Sequence, residues 1–324
     1  MKRGFALPAV LAITGVVCLA LLAVAQAIDS LSRSAREAVA QDAFLQAALD
    51  LEAGAVFAAL TRPVTSSAIV FTDDRGRSQT AALDGSPYLS ETGLLVSLQD
   101  ESGLINLNTL PAAAIPRLIA LLAVPDAEAD RLAARMADYI DIDDSVRAGG
   151  AERLEYRRAD LPPPPNGALR SRSELLGVLG LSAAAAPGAW QDVRRLVVAD
   201  DYTAPTNVNT APAEVLSVRY DLTIQQARRA VDRRRVRDFD SLEDLGRAAG
   251  VRLTGDFERS VTASGGRIRF AANRAAHAYS SRIVLSPRDP VRPFQLEDRL
   301  VSLLRSAEER KHAPDAVPPP VPWD

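Results

Sequence analysis

The sequence predicts an α+β protein in which a long N-terminal helix carries an antiparallel sheet, with a large all-helical domain inserted into that sheet. Three observations predict it. Residues 5–28 contain no charged side chain, and apolar residues continue beyond them at helical spacing. Strand-like alternation appears both before and after residues 106–250, whose own pattern is helical. Within that helical stretch one motif occurs twice.

The N-terminal run, FALPAVLAITGVVCLALLAVAQAI, follows Lys2 and Arg3. Rising about 1.5 Å per residue, it makes a helix about 36 Å long, enough to cross a bilayer core. The basic pair keeps this end cytoplasmic and places everything after Asp29 outside. Pro8 falls in the first helical turn, where its missing N–H had no partner. Ala25-Gln26-Ala27 also offers an A-x-A site, so a secretory signal cleaved before Ile28 is the alternative. Beyond the membrane, Leu45, Leu49, Ala53, Val56 and Leu60 form a stripe with Asp50 and Glu52 off it. Residues 29–62 therefore read as an amphipathic stem helix.

Residues 67–72 (SAIVFT), 78–83 (SQTAAL) and 93–99 (GLLVSLQ) read as strands, with a turn at Asp73-Asp74-Arg75-Gly76. Strand patterns return in SVTAS, GRIRFAA and YSSRIVLS. The head is thus expected over 63–105 and 251–308, interrupted by the helical insertion at 106–250. Residues 309–324 (ERKHAPDAVPPPVPWD after Glu308) are Pro-rich, lack periodicity and are expected to be disordered.

Composition removes several function classes. A formal charge of −3 with a pI near 5.6 provides no overall basic field of the kind nucleic acid attracts. The single cysteine, Cys18, lies in the apolar run, so no intrachain disulfide braces the rest. The two histidines, His277 and His312, have no nucleophile motif beside them, and neither a P-loop nor a dinucleotide fingerprint occurs. Ser171-Arg172-Ser173-Glu174 reads as a helix N-terminus before LLGVLG. No enzymatic activity is expected.

The repeat pairs INLNTLPAAAI, from Ile105, with TNVNTAPAEVL, from Thr206, as N-x-N-T-x-P-A. Each Asn-x-Asn-Thr is a natural helix start, with a side-chain oxygen for free N–H groups and Pro near the first helical position. Asp138, Asp141, Asp143, Asp144, Glu152 and Glu155 form a carboxylate cluster beside Gly149-Gly150. Hard oxygens close in sequence suit calcium, which takes six to eight ligands at about 2.3–2.6 Å. A solvated charged loop is the alternative, because the strict 12-residue calcium loop is absent.

These features together resemble one family. The junction KRG-FAL resembles the prepilin peptidase site of type IV pilin-like proteins, with Gly4 as the last leader residue and Phe5 as the N-methylated first mature one. Most such proteins carry Glu at mature position five; here it is Ala9. One branch lacks that Glu, the minor pseudopilin K of the type II secretion system. The run ADYIDIDDSVRAGGAERLEY…PPNGALRSRSELLG resembles that family's middle segment, with Tyr139 where Trp is usual. The resemblance implies a leader at 1–4, a transmembrane helix at 5–28 and a pilin-like head with two SAM-like helix-hairpin-helix units inserted. It implies a non-enzymatic subunit at the pseudopilus tip that helps start assembly. Its partners would be the other minor pseudopilins, the major pseudopilin, prepilin peptidase and the inner membrane. It also implies a possible Ca2+ ion, with Asp141, Asp143, Asp144 and Glu152 as candidate ligands. A Glu-less stem and a bulky head both suit an end of the filament. The rival expectation is a membrane-anchored helix-hairpin-helix DNA-binding protein using Arg228, Arg229, Arg233, Arg234, Arg235 and Arg237. Against it, both hairpin turns lack glycine, and carboxylates offset the arginines. Nucleic acid is therefore not an expected partner.

Overall fold

The computed structural model describes residues 6–72, 75–200, 205–254, 266–274, 277–303 and 318–323. One continuous helix, α1 (Ala6–Thr61, 56 residues), opens the chain. It is the one described helix long and apolar enough to cross a membrane, and its apolar window has no buried residue. Burial begins at Phe44 and continues through Ala48, Leu51, Ala55 and Val56. The buried stripe is rotated from the expected one. Ala53 is exposed, whereas Glu52, expected on the polar face, is 1% exposed. Its carboxylate accepts from Tyr279 Oη at 2.9 Å and pairs with Arg299. An ion pair and a hydroxyl make that burial tolerable.

Strands β1 (Ala68–Thr72) and β2 (Ser78–Ala82) form a hairpin. The main sheet is antiparallel, in the order β3 (Asp84–Leu89), β4 (Leu95–Asp100), β7 (Arg267–Arg274), β8 (His277–Leu285), β9 (Phe294–Leu303). Strand β3, with Gly85 and Pro87, and strand β9 carry too little apolar alternation to stand out in the sequence; both lie at sheet edges. In β4, β7 and β8 burial alternates strictly, as a strand with one covered face requires. Leu94, Val96, Leu98, Ile268, Phe270, Tyr279 and Ile283 pack against the lower half of α1 to form the first core. The expected strand SVTAS and the turn residues Asp73 and Asp74 lie outside the described residues.

Adjacent strands β4 and β7 are separated in sequence by the whole helical block, so the chain leaves the sheet and returns beside its point of departure. The block holds a two-residue parallel pair, β5 (Ile105–Asn106) with β6 (Val197–Val198). Its helices are α2 (Ile115–Leu121), α3 (Asp126–Ile140), α4 (Arg153–Arg158), α5 (Leu181–Ala184), α6 (Ala189–Leu196), α7 (Ala213–Tyr220), α8 (Ile224–Arg234) and α9 (Leu242–Ala249). They enclose a second core that includes Leu118, Ile119, Leu132, Met136, Tyr156, Leu216 and Leu245. The segment after Ser171 is a 3₁₀ turn (Arg172–Gly177) without a side-chain cap, not the α-helix start expected.

The two repeat copies adopt one geometry, and it is not the capping expected of them. Pro212 is the N-cap of α7, and α2 is entered through a short 3₁₀ turn after Pro111. Asn106 Oδ1 accepts from Asn108 N and Asn207 Oδ1 from Asn209 N, both at 3.1 Å. The second asparagine of each copy then bridges to a distant backbone. Asn108 accepts from Leu169 N (2.8 Å) and donates to Leu169 O (2.9 Å). Asn209 does the same with Phe239 N (2.8 Å) and O (3.1 Å). One amide thus satisfies both polar groups of one backbone residue, as a neighbouring strand would. Ser171 and Ser241 follow two residues after these partners, so the internal repeat extends to the end of each unit.

Residues 304–317 lie outside the described residues, but 318–323 correct the expectation of a wholly disordered tail. Pro320 forms a parallel bridge with Leu89, and Val321 is buried. Low-complexity proline masked two apolar side chains, Val321 and Trp323, spaced to face the same way.

Candidate functional site

Helix α3 ends at Ile140, and the carboxylate cluster follows from its last turn. Asp138 is fully buried and organises the loop. Its Oδ2 accepts from Arg147 N (3.2 Å) and Ala151 N (2.9 Å), and its Oδ1 pairs with Arg147 Nη1 at 2.6 Å. A Cβ on Gly150 would lie 1.9 Å from Asp138 Oδ2, so only glycine lets this backbone come so close. Gly149, with φ +78°, makes the turn. Helix α4 then starts at Arg153, with Glu155 Oε2 accepting from Glu152 N at 3.1 Å.

The four candidate ligands have different surroundings. Asp141 caps α3 and pairs through Oδ2 with the same Arg147 guanidinium, while its Oδ1 is buried without a partner. Asp143 is exposed, and its Oδ1 accepts from Ser145 N at 2.7 Å, which holds its carboxyl below the usual range. Asp144 Oδ1 accepts from Asn166 Nδ2 at 2.9 Å, tying the loop to the end of the proline run. Glu152 is buried, and neither carboxylate oxygen has a partner. Desolvation, then the charges of Asp138, Asp141, Asp144 and Asp143, push its pKa up to about 7. Among the described residues no three His, Cys, Asp or Glu side chains are grouped closely enough to hold a metal ion. The cluster is instead drawn partly onto Arg147, whose guanidinium titrates above its ordinary value because both aspartates accept from it.

Sequence reasoning missed Arg147, and it marked Asn166 only as a position of the resembling middle segment, without its contact to Asp144. No spacing rule connects an arginine nine residues after a buried aspartate, or an asparagine beyond a proline run, to this loop. Gly4 and Phe5 lie outside the described residues.

A second polar cluster joins the helical block to the sheet. Asp100, buried at the end of β4, accepts through Oδ2 from Ser102 Oγ (2.6 Å), Asn207 Nδ2 (2.8 Å) and Thr210 Oγ1 (3.2 Å). Glu101 accepts from Arg269 (3.1 Å) and Arg282 (2.7 Å), and Arg282 also reaches Asp200 at 3.0 Å. Asn207 Nδ2 donates to Ser66 O at 2.7 Å, so the first asparagine of the second repeat binds the sheet domain itself. The arginine run of α8 is partly committed to structure. Arg234 is buried, donates to Val208 O at 2.9 Å and pairs with Asp84 at 3.4 Å. Arg229 donates to Ala249 O at 2.9 Å, while Arg235 and Arg237 pair with Asp232 and Asp240. In both hairpin turns a non-glycine residue takes the left-handed conformation, Ala123 (φ 48°) and Asp221 (φ 56°).

Two family models described as type II secretion system (T2SS), protein K match residues 95–199 and 206–262. Together they cover half of the chain, from the start of β4 through the second repeat unit. The chain belongs to the type II secretion system protein K family. The boundary between the two models falls between the two repeat units. A family relative, type II secretion system protein K of Pseudomonas aeruginosa, is 33% identical over 175 residues, 49% of this chain. The match spans half the length of that relative. Among solved structures, the GspK-GspI-GspJ complex of the enterotoxigenic Escherichia coli type 2 secretion system contains a chain of similar fold. The TM-score is 0.50 at 19% identity, covering 84% of this chain and 99% of that one.

Proposed function

We propose that this chain is a minor pseudopilin of the type II secretion system that sits at the pseudopilus tip and helps start its assembly. One observation carries the reading: a 56-residue helix, exposed and apolar at first, docks in its second half under a head whose helical block matches the protein K family. Its role is structural rather than catalytic. The head, 63–105 with 251–308, carries residues 106–250 as an inserted pair of SAM-like helix-hairpin-helix units. Prepilin peptidase removes residues 1–4, Phe5 becomes N-methylated, and α1 crosses the inner membrane with the head periplasmic. Two other minor pseudopilins are the expected partners, as in the E. coli complex. A head this large obstructs helical stacking anywhere but at an end, which supports the tip. Mass spectrometry of the mature N-terminus tests the reading: methylated Phe5 supports it, and a start at Ile28 would indicate an ordinary secreted protein.

Calcium belongs to the same proposal. The unpartnered oxygens of Asp141, Glu152 and Asn166 are hard donors of the kind the ion takes. Asp141, Asp143, Asp144 and Glu152 would hold it, and the bound ion would supply the positive charge that Glu152 lacks; Arg147 reaches Asp138 and Asp141. Thermal unfolding of the detergent-solubilised chain should move up by a few degrees with excess calcium and not with magnesium. Asp141→Ala with Glu152→Ala should abolish the rise, and equal midpoints with calcium and with chelator would refute the site.

A further inference from the structure

We propose that the cleft between α1 and the edge strand β3 is a binding site for an extended peptide carrying an apolar residue two positions before a tryptophan. Residues 318–323 of the same chain fill it. The backbone binds by strand addition: Leu89 N donates to Pro319 O at 2.9 Å, and Val321 N donates to Leu89 O at 3.1 Å. Val321 is 6% exposed. The Trp323 indole faces Phe71 and Tyr88 with ring centroids 6.1 and 6.3 Å away, and its Nε1 donates to Leu51 O at 3.0 Å.

The host surface is shaped for that ring. A Cβ on Gly54 would lie 2.6 Å from Trp323 Cδ1. Glycine inside a helix is destabilising relative to alanine, so its place in α1 needs a reason, and the indole supplies one. The ligand is shaped as well. Pro320 sits opposite Leu89, where the hydrogen-bond pattern turns its own backbone away from β3. Its missing N–H costs nothing in the pairing and denies a donor to any further strand. Prolines also hold the segment extended before it binds, which lowers the entropy lost on docking. One tryptophan thereby touches α1, β1 and β3 at once, fastening the stem helix to the sheet and closing one of the sheet's two edges.

The chain has two tryptophans, so Trp190→Phe leaves Trp323 as the single reporter in the detergent-solubilised full chain. Its emission should be that of a half-buried indole, blue-shifted from the solvent value, and should move to the solvent value in Gly54→Leu, which places a better helix former in α1. Separately, a chain ending at residue 317 should bind a synthetic peptide of residues 318–324 saturably. Replacing the peptide's tryptophan by alanine should weaken that binding by about thirtyfold. Solvent-like emission in the parent, emission unmoved by Gly54→Leu, or equal binding of the two peptides would overturn the proposal.

Discussion

Asp138 and the two bridging asparagines, Asn108 and Asn209, show how much of this molecule rests on single polar side chains. Asp138 is buried, yet all its bonds go to a loop of the chain that follows it within fourteen residues, and Gly150 yields the room. Gly150→Ala should cost about 1–3 kcal/mol of stability, the usual range for forcing atoms into a filled site. Urea denaturation of the detergent-solubilised chain measures it; an unchanged midpoint would mean that the loop shifts freely away from Asp138. Asn108→Ala and Asn209→Ala should each cost about 1–3 kcal/mol, because each strands a buried backbone N–H and C=O. The Asn209 variant should be the worse of the two. Asn209 is more fully buried, and its neighbour Asn207 also binds the sheet domain at Ser66.

At the scale of elements, the lower half of α1 is the structural beam of the head. Its buried face meets the sheet, and Glu52 reaches Tyr279 on β8 and Arg299 on β9. Tyr279 is raised to about 12, first by burial and then by that carboxylate. Glu52→Ala leaves the tyrosine hydroxyl without its acceptor and Arg299 without its partner, at a cost of about 1.5–3 kcal/mol. Hydrogen exchange should quicken in β8 and β9 while α2 and α3, in the other core, keep their protection. Uniform loss of protection across both cores would instead mean that the two fold as one cooperative unit. The amphipathic period of α1 was legible, but its phase was not. Alanine occupies both faces of the stem, so only contact with the sheet decides which face is buried.

For the whole molecule, the arrangement is a long apolar N-terminal helix, a sheet docked on its extension, and a helical block that leaves the sheet between adjacent strands. The join between block and sheet is polar, built from Asp100, Glu101, Asn207, Arg269 and Arg282. On the proposed function, activity at this scale requires the N-terminus to be processed. Gly4→Leu should block leader removal, because a side chain there obstructs a peptidase that must approach the backbone. The unprocessed chain should stay in the membrane and fail to restore export to a strain lacking the gene. Normal processing of this variant, read from its mass, would sink the prepilin reading of residues 1–5.

The sequence by itself determined the long apolar N-terminal helix, the helical block between two strand-rich segments, the repeat and the family. These are periodic or local patterns, which a chain displays before it folds. It did not reveal what the repeat asparagines do, since their partners Leu169 and Phe239 lie 61 and 30 residues away. Nor did it reveal that Arg147 pairs with both Asp138 and Asp141, that Glu52 is buried, or that Val321 and Trp323 dock on β3. The edge strands β3 and β9 were equally hidden, because an edge strand needs little apolar alternation of its own. Each of these depends on which side chains converge across long stretches of sequence, and only the packed tertiary structure brings such partners within bonding distance.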